Sequence, residues 1–140
     1  MADLTIGELA KRTGVATSAL RYWEELGVIP APTRVSGQRR YPSSAVALVG
    51  MVLLLQDVGL TLREAKVFVA SRSSDPATWR SLYERKLAEL DEHIAYAQAA
   101  RTAIAHGLAC PHSDIADCPT FASVLSARLD GATLQEYHHP

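Results

Sequence analysis

The chain has 140 residues, 48% hydrophobic and 21% charged, so it has room for one compact domain or for a small domain plus an extended element. Its net charge of −1 does not by itself point to nucleic acid. The distribution says more: residues 11–40 hold six cations against two anions, whereas residues 76–140 hold five cations against eight anions. A basic N-terminal third beside an acidic remainder fits a protein of which only one part meets phosphate.

Residues 1–9 include Asp3 and Glu8 and lack the apolar segment of a secretory leader, so the expected location is the cytoplasm. Thr5-Ile6-Gly7-Glu8 reads as a capping box that opens a short helix with Ile6, Leu9 and Ala10 on one face. This helix ends at Thr13-Gly14, and a second follows after two or three residues, over about Thr17–Leu26, until Gly27 stops it. Leu20, Trp23 and Leu26 are assigned to the core of this part. Two short helices joined by a tight turn containing glycine form a helix-turn-helix. Pro30 and Pro32 then forbid helix, and Arg34–Tyr41 reads as a hairpin turning at Ser36-Gly37, a wing.

A third helix begins at Pro42-Ser43-Ser44 and runs to about Asp57. Its apolar run Ala45–Leu55 is about 11 residues long, below the roughly 18 needed to span a membrane, and is read as a buried helix. Thr61-Leu62-Arg63-Glu64 is a second capping box, and its helix extends to about Ala70. After a polar linker at Ser71–Ser74, Asp75-Pro76 supplies an N-cap and a first-turn proline. Nothing then breaks the helix until about Leu108.

Along this last helix Tyr83, Leu87, Leu90, Ile94, Ala97, Ile104 and Leu108 follow alternating steps of four and three, interrupted only by Arg101. That is the period of a coiled-coil seam. A helix of this length spans roughly 50 Å, more than a domain of some 70 residues can cover. A second copy of the chain is therefore expected to cover the seam. The resulting division is a mainly α protein: a winged helix-turn-helix head at 1–72, a dimerisation helix at 75–108, a loop and short helix at 109–130, and a tail without regular structure at 131–140. His138 and His139 fall in that tail, and His93 and His106 are read as surface residues of the long helix.

Three strings carry a family likeness: Thr5-Ile6-Gly7-Glu8-Leu9-Ala10, Leu20-Arg21-Tyr22-Trp23-Glu24-Glu25-Leu26-Gly27, and Gly37-Gln38-Arg39-Arg40-Tyr41. With Gly59-Leu60-Thr61-Leu62-Arg63-Glu64-Ala65 before the long helix, they resemble the mercury-resistance regulator (MerR) family over nearly the whole chain. The resemblance implies an antiparallel coiled-coil dimer on a pseudo-palindromic operator within an overlong promoter spacer. An effector bound near the long helix then makes the dimer bend and untwist the spacer so that RNA polymerase holoenzyme can use it, an indirect readout of DNA. It implies DNA contacts by Thr17, Ser18, Arg21 and Tyr22 of the second helix and by Arg34, Arg39, Arg40 and Tyr41 of the wing. Most such contacts position the protein rather than read bases.

Cys110 and Cys118, with seven residues between them after the long helix and followed by Pro111 and Pro119, are similar to the metal loop of the family's copper-sensing branch. Soft thiolates suit Cu(I) or another monovalent soft ion. Zinc or cadmium wants about four ligands. The start of the long helix offers no further cysteine, so a divalent ion is short of donors unless His112, Asp114 or Asp117 joins. Thiol redox sensing by the cysteine pair, an organic ligand held by Trp79 and Tyr83, and a merely structural loop with Asp117 capping the next helix all stay open. So does an architectural DNA-binding protein without effector. No nucleophile–base pair, phosphate loop or closed catalytic metal set appears, so no enzyme is expected.

Overall fold

The computed structural model describes residues 3–137, which form two compact units divided between Lys86 and Leu87. His138 and His139 lie outside the described residues. The first unit comprises β1 (Leu4–Thr5), α1 (Ile6–Thr13), α2 (Thr17–Leu26), β2 (Thr33–Val35), β3 (Gln38–Tyr41), α3 (Ala45–Asp57), α4 (Leu62–Ser71) and the opening turns of α5 (Pro76–Ala109).

Local chemistry explains most of these boundaries. Both capping boxes form: the Glu8 amide donates to Thr5 Oγ1 at 3.2 Å and the Thr5 amide to Glu8 Oε1 at 3.1 Å. Thr61 and Glu64 repeat the pattern at 3.0 and 3.1 Å. The wing turns where Ser36 (φ 52°) and Gly37 (φ 80°) both adopt left-handed backbone. That is the twist a two-residue hairpin needs, and glycine takes it without steric cost.

The sheet is larger than a hairpin. β1 pairs antiparallel with β3, Leu4 opposite Tyr41, giving the order β1-β3-β2. The core gathers Leu9, Leu20, Trp23, Val28, Ile29 and Tyr41 with Val49, Val52 and Leu55 of α3. Ala45, Val49, Val52 and Leu55 recur every three or four residues, so α3 is buried along one face, as its apolar run requires. Leu26, assigned to the core from sequence, is instead 37% exposed at the last turn of α2.

The head also extends beyond residue 72. Leu82 joins its core. Phe68 stacks on Tyr83 with ring centroids 5.1 Å apart, while Trp79 meets both rings edge-on. Tyr83, expected in the dimer seam, is thereby tied to α4 of its own chain.

In the second unit, α5 is followed by a 3-10 turn (Ile115–Asp117), α6 (Pro119–Leu129) and α7 (Leu134–Tyr137). The tail expected to lack regular structure thus carries one turn of helix, in which Glu136 Oε2 accepts from the Thr133 amide at 2.9 Å. Along α5 the predicted seam is open to solvent: Leu87 is 61% exposed, Ile94 54%, Ile104 66% and Leu108 84%. Among the described residues no helix is long and apolar enough to cross a membrane.

Candidate nucleic-acid interface and metal centre

The first candidate site lies on α2 and the wing. Ser18, Arg21 and Tyr22 are exposed along α2, and Thr17 at its first position is half-buried. In the wing, Arg34 sits directly opposite Arg39, and Thr33 opposite Arg40. Like charges held opposite each other destabilise a sheet unless an anion offsets them. One such anion is internal: Glu24 of α2 accepts from Arg39 Nε at 3.3 Å. Arg39 keeps its terminal amine donors for another partner. The Arg34 guanidinium donates to the Gly37 carbonyl at 3.4 Å, and Arg40 to Gln38 Oε1 at 3.3 Å.

Tyr41 departs from the sequence reading. It is 1% exposed, because the alternation of β3 turns it inward, and its hydroxyl donates to the same Glu24 carboxylate at 3.1 Å. It therefore fixes Glu24, which holds Arg39, and does not itself present a surface hydroxyl. Burial, then the Glu24 carboxylate, push its pKa from 10.0 up to about 12. A raised folded-state value means stability that is fully present below pH 10 and lost as pH rises towards 12. In thermal melts, the advantage of the native chain over Tyr41→Phe should accordingly shrink across that window. A gap that stays constant would contradict the assignment.

Sequence reasoning overlooked two cations. A cleft of about 480 Å³ bounded by Tyr22, Leu26, Val28, Thr61, Arg63 and Lys66 places Arg63 and Lys66 beside Tyr22. Their three-residue spacing in α4 sets them on one helix face and was the available signal.

The second candidate site is the loop after α5. Ile115 folds back over the helix, its Cδ1 only 3.3 Å from where a Cβ on Gly107 would stand, so glycine there admits the loop. Asp114 caps the 3-10 turn, accepting from the Ala116 amide at 2.9 Å, and Cys118, not Asp117, stands at the N-cap of α6, with no side-chain cap bond. This brings Cys118 back to Cys110. The donor atoms of Cys110, His112 and Cys118 lie within 4.8 Å of one another. Both cysteines are free thiols, and Cys118 is buried.

The Phe121 amide at the start of α6 draws the Cys118 thiol from 9.0 down to about 7, against a desolvation effect that raises it. The Cys110 thiol, the Thr120 amide and the His106 imidazole add to the lowering. A thiolate facing the unbonded amides of a helix start is a ready soft donor. His106, read from sequence as a surface residue without partners, lines the same cavity of about 320 Å³ as Cys110, His112 and Cys118. It stands one helical turn before Cys110, and that spacing was the missed clue. Two thiols and an imidazole converging on one point fit a soft metal ion.

A family model described as MerR HTH family regulatory protein matches residues 4–71, and one described as MerR, DNA binding matches residues 46–107. The HTH-type transcriptional regulator CueR of Escherichia coli O6:H1 is 32% identical over 122 residues, covering 83% of this chain and 90% of the relative. The HTH-type transcriptional regulator HmrR of Rhizobium leguminosarum bv. viciae is 27% identical over 133 residues, covering 92% of this chain and all of the relative. Among solved structures, HiNmlR, a MerR family regulator lacking the sensor domain and bound to promoter DNA, superposes with a TM-score of 0.56. It is 18% identical and the match covers 94% of this chain and 97% of that one. A MerR family regulator from Listeria monocytogenes gives 0.57 at 19% identity, covering 92% and 99%. These two show the fold.

Proposed function

The chain belongs to the MerR family of DNA-binding transcriptional regulators, and from that premise we propose that it is a cytoplasmic homodimer that activates a promoter in response to a soft monovalent metal ion such as Cu(I). The observation that carries the metal arm is the convergence of the Cys110, His112 and Cys118 donor atoms within 4.8 Å. The relatives named for CueR and HmrR support it by overall likeness.

In this reading Ser18, Arg21 and Tyr22 enter the major groove from α2, with Thr17 at the helix start. Arg34, Arg39 and Arg40 grip phosphates from the wing, and Tyr41 acts from behind through Glu24. Leu87, Leu90, Ile94, Ala97, Ile104 and Leu108 meet the partner's α5, which sets the spacing of two heads on one duplex. Cys110 and Cys118 anchor the two ends of the effector loop. A bound ion would supply a bond between those ends, one directly after α5 and the other at the N-cap of α6. The tied loop stabilises the dimer form that bends and untwists the promoter spacer, and RNA polymerase holoenzyme then engages the realigned elements. A reducing cytoplasm keeps both thiols available for this.

The test is a titration of reduced protein with Cu(I) against a strong competing chelator, with the operator footprinted in parallel. The expected result is one ion per protomer, a thiolate-to-metal charge-transfer band, and a footprint distorted only in the loaded form. Absence of the band would remove the metal arm, while a footprint alone would leave the DNA-binding arm standing.

A further inference from the structure

We propose that Arg101 and the partner subunit's Asp91 form an ion pair, made twice across a two-fold axis, that fixes the direction and register of the α5 dimer. This inference rests on the reading of α5 as a dimerisation helix and names what selects one pairing of its two copies.

Charge along α5 is segregated. Residues 87–92 contain Glu89, Asp91 and Glu92 and no lysine or arginine, whereas residues 93–109 contain Arg101 and no carboxylate. Arg101 is also the charged interruption of the seam that runs through Leu87, Leu90, Ile94, Ala97 and Ile104. Arg101 and Asp91 are both exposed, and among the described residues neither has an ion partner in its own chain. Ten residues apart on one continuous helix, they are separated by about 15 Å and cannot meet within a protomer. Ala99, on the opposite face of α5, is buried within its own chain, so the seam is the face left for a second copy.

A parallel dimer in register sets Arg101 against the partner's Arg101 and lays the two acidic segments side by side, and like charges there oppose association. An antiparallel dimer with its axis between Ile94 and Ala97 has neither conflict. Ile94 then faces the partner's Ala97, Leu87 faces the partner's Ile104, and Arg101 faces the partner's Leu90. The alternating steps of three and four satisfy all these pairings at once. The aliphatic stem of Arg101 covers the partner's Leu90, and its guanidinium reaches the carboxylate of the partner's Asp91 beside it. Sliding one copy by seven residues does worse in either sense. One slide exchanges that carboxylate for the partner's Gln98 and carries Leu87 past the end of α5, and the other sets Ile104 against the partner's Arg80.

Charge exchange in the full-length protein tests the pair by sedimentation equilibrium. Arg101→Asp and Asp91→Arg should each weaken the dimer by about tenfold or more, because two like-charge contacts replace two ion pairs. Both exchanges in one chain should restore dimerisation to within about threefold of native, since the effects of two harmful substitutions cancel only where the side chains meet. That restoration also serves as the folding control. A parallel dimer cannot show it, because the two introduced aspartates would face each other in the seam. Single variants that dimerise like the native chain, or a double variant no stronger than either single, would overturn the pair and leave the homodimer standing. A native chain that sediments as a monomer would overturn both.

Discussion

Replacing Leu90 and Ile94 together with aspartate is expected to leave the protein monomeric and to weaken operator binding by about 100-fold or more. Both side chains are exposed on α5, 39% and 54% respectively, in a stripe that continues through Leu87, Ile104 and Leu108. Covering these five residues on each of two protomers is worth on the order of 10 kcal/mol once the area already shielded is discounted. Association itself costs about 4–15 kcal/mol. The margin is narrow, and two carboxylates in the middle of each stripe remove it. Each head must then find its half-site alone, and the gain from tethering two modules, about 10²–10⁴, is lost. Neither residue belongs to the core of the first unit, so the helix-turn-helix should melt as before. Sedimentation and quantitative footprinting decide the matter. A variant that remains dimeric, or a monomer that holds the operator at full strength, would refute this account of α5.

What could be read from the sequence was whatever is encoded locally. Thr5 and Thr61 with their glutamates three residues on, and Gly27 after α2, set helix ends by contacts within one turn. The period of the α5 stripe likewise needs no knowledge of the rest of the chain. The misreadings share a different cause. β1 is two residues long and exists only because β3 returns to it from more than thirty positions away. Tyr41 sits in a four-residue strand, too short for alternation to show which face is inward. Once β1 covers that strand, Leu4 and Tyr41 face the core, and the hydroxyl must find Glu24. His106 looked isolated because its partners come back through a loop folded over Gly107.

The Glu24 contact also shows how the head combines stability and function. In the proposed interface, an acidic residue on α2 would repel phosphate. Here its charge is spent on Arg39 and on the buried hydroxyl of Tyr41. The wing is thereby tied to α2, and the proposed DNA contacts of both elements share one support.

Cys118→Ser should abolish metal-dependent transcription while leaving operator affinity unchanged. The Cys118 sulfur is the donor supported by the amides of α6, and its partner Cys110 supplies the other soft ligand. A serine oxygen is a hard donor that stays protonated at neutral pH, so a soft monovalent ion is left with one sulfur. Shifting a regulator from 1:99 to 99:1 requires about 5.5 kcal/mol of differential binding. One thiolate with an imidazole does not supply that to Cu(I). Promoter activity should then stay at its uninduced level at every metal concentration, whereas footprints of the metal-free variant match the native chain. Proton competition adds a second signature. Because Cys118 titrates at about 7, its thiolate prevails above that pH and is lost below it. The pH dependence of the native protein's apparent Cu(I) affinity should therefore steepen by about a further tenfold per pH unit on the acid side of neutrality, where Cys118 adds its own displaced proton to that of Cys110. Retained induction in Cys118→Ser, or an affinity flat through this range, would move the sensing event away from the loop.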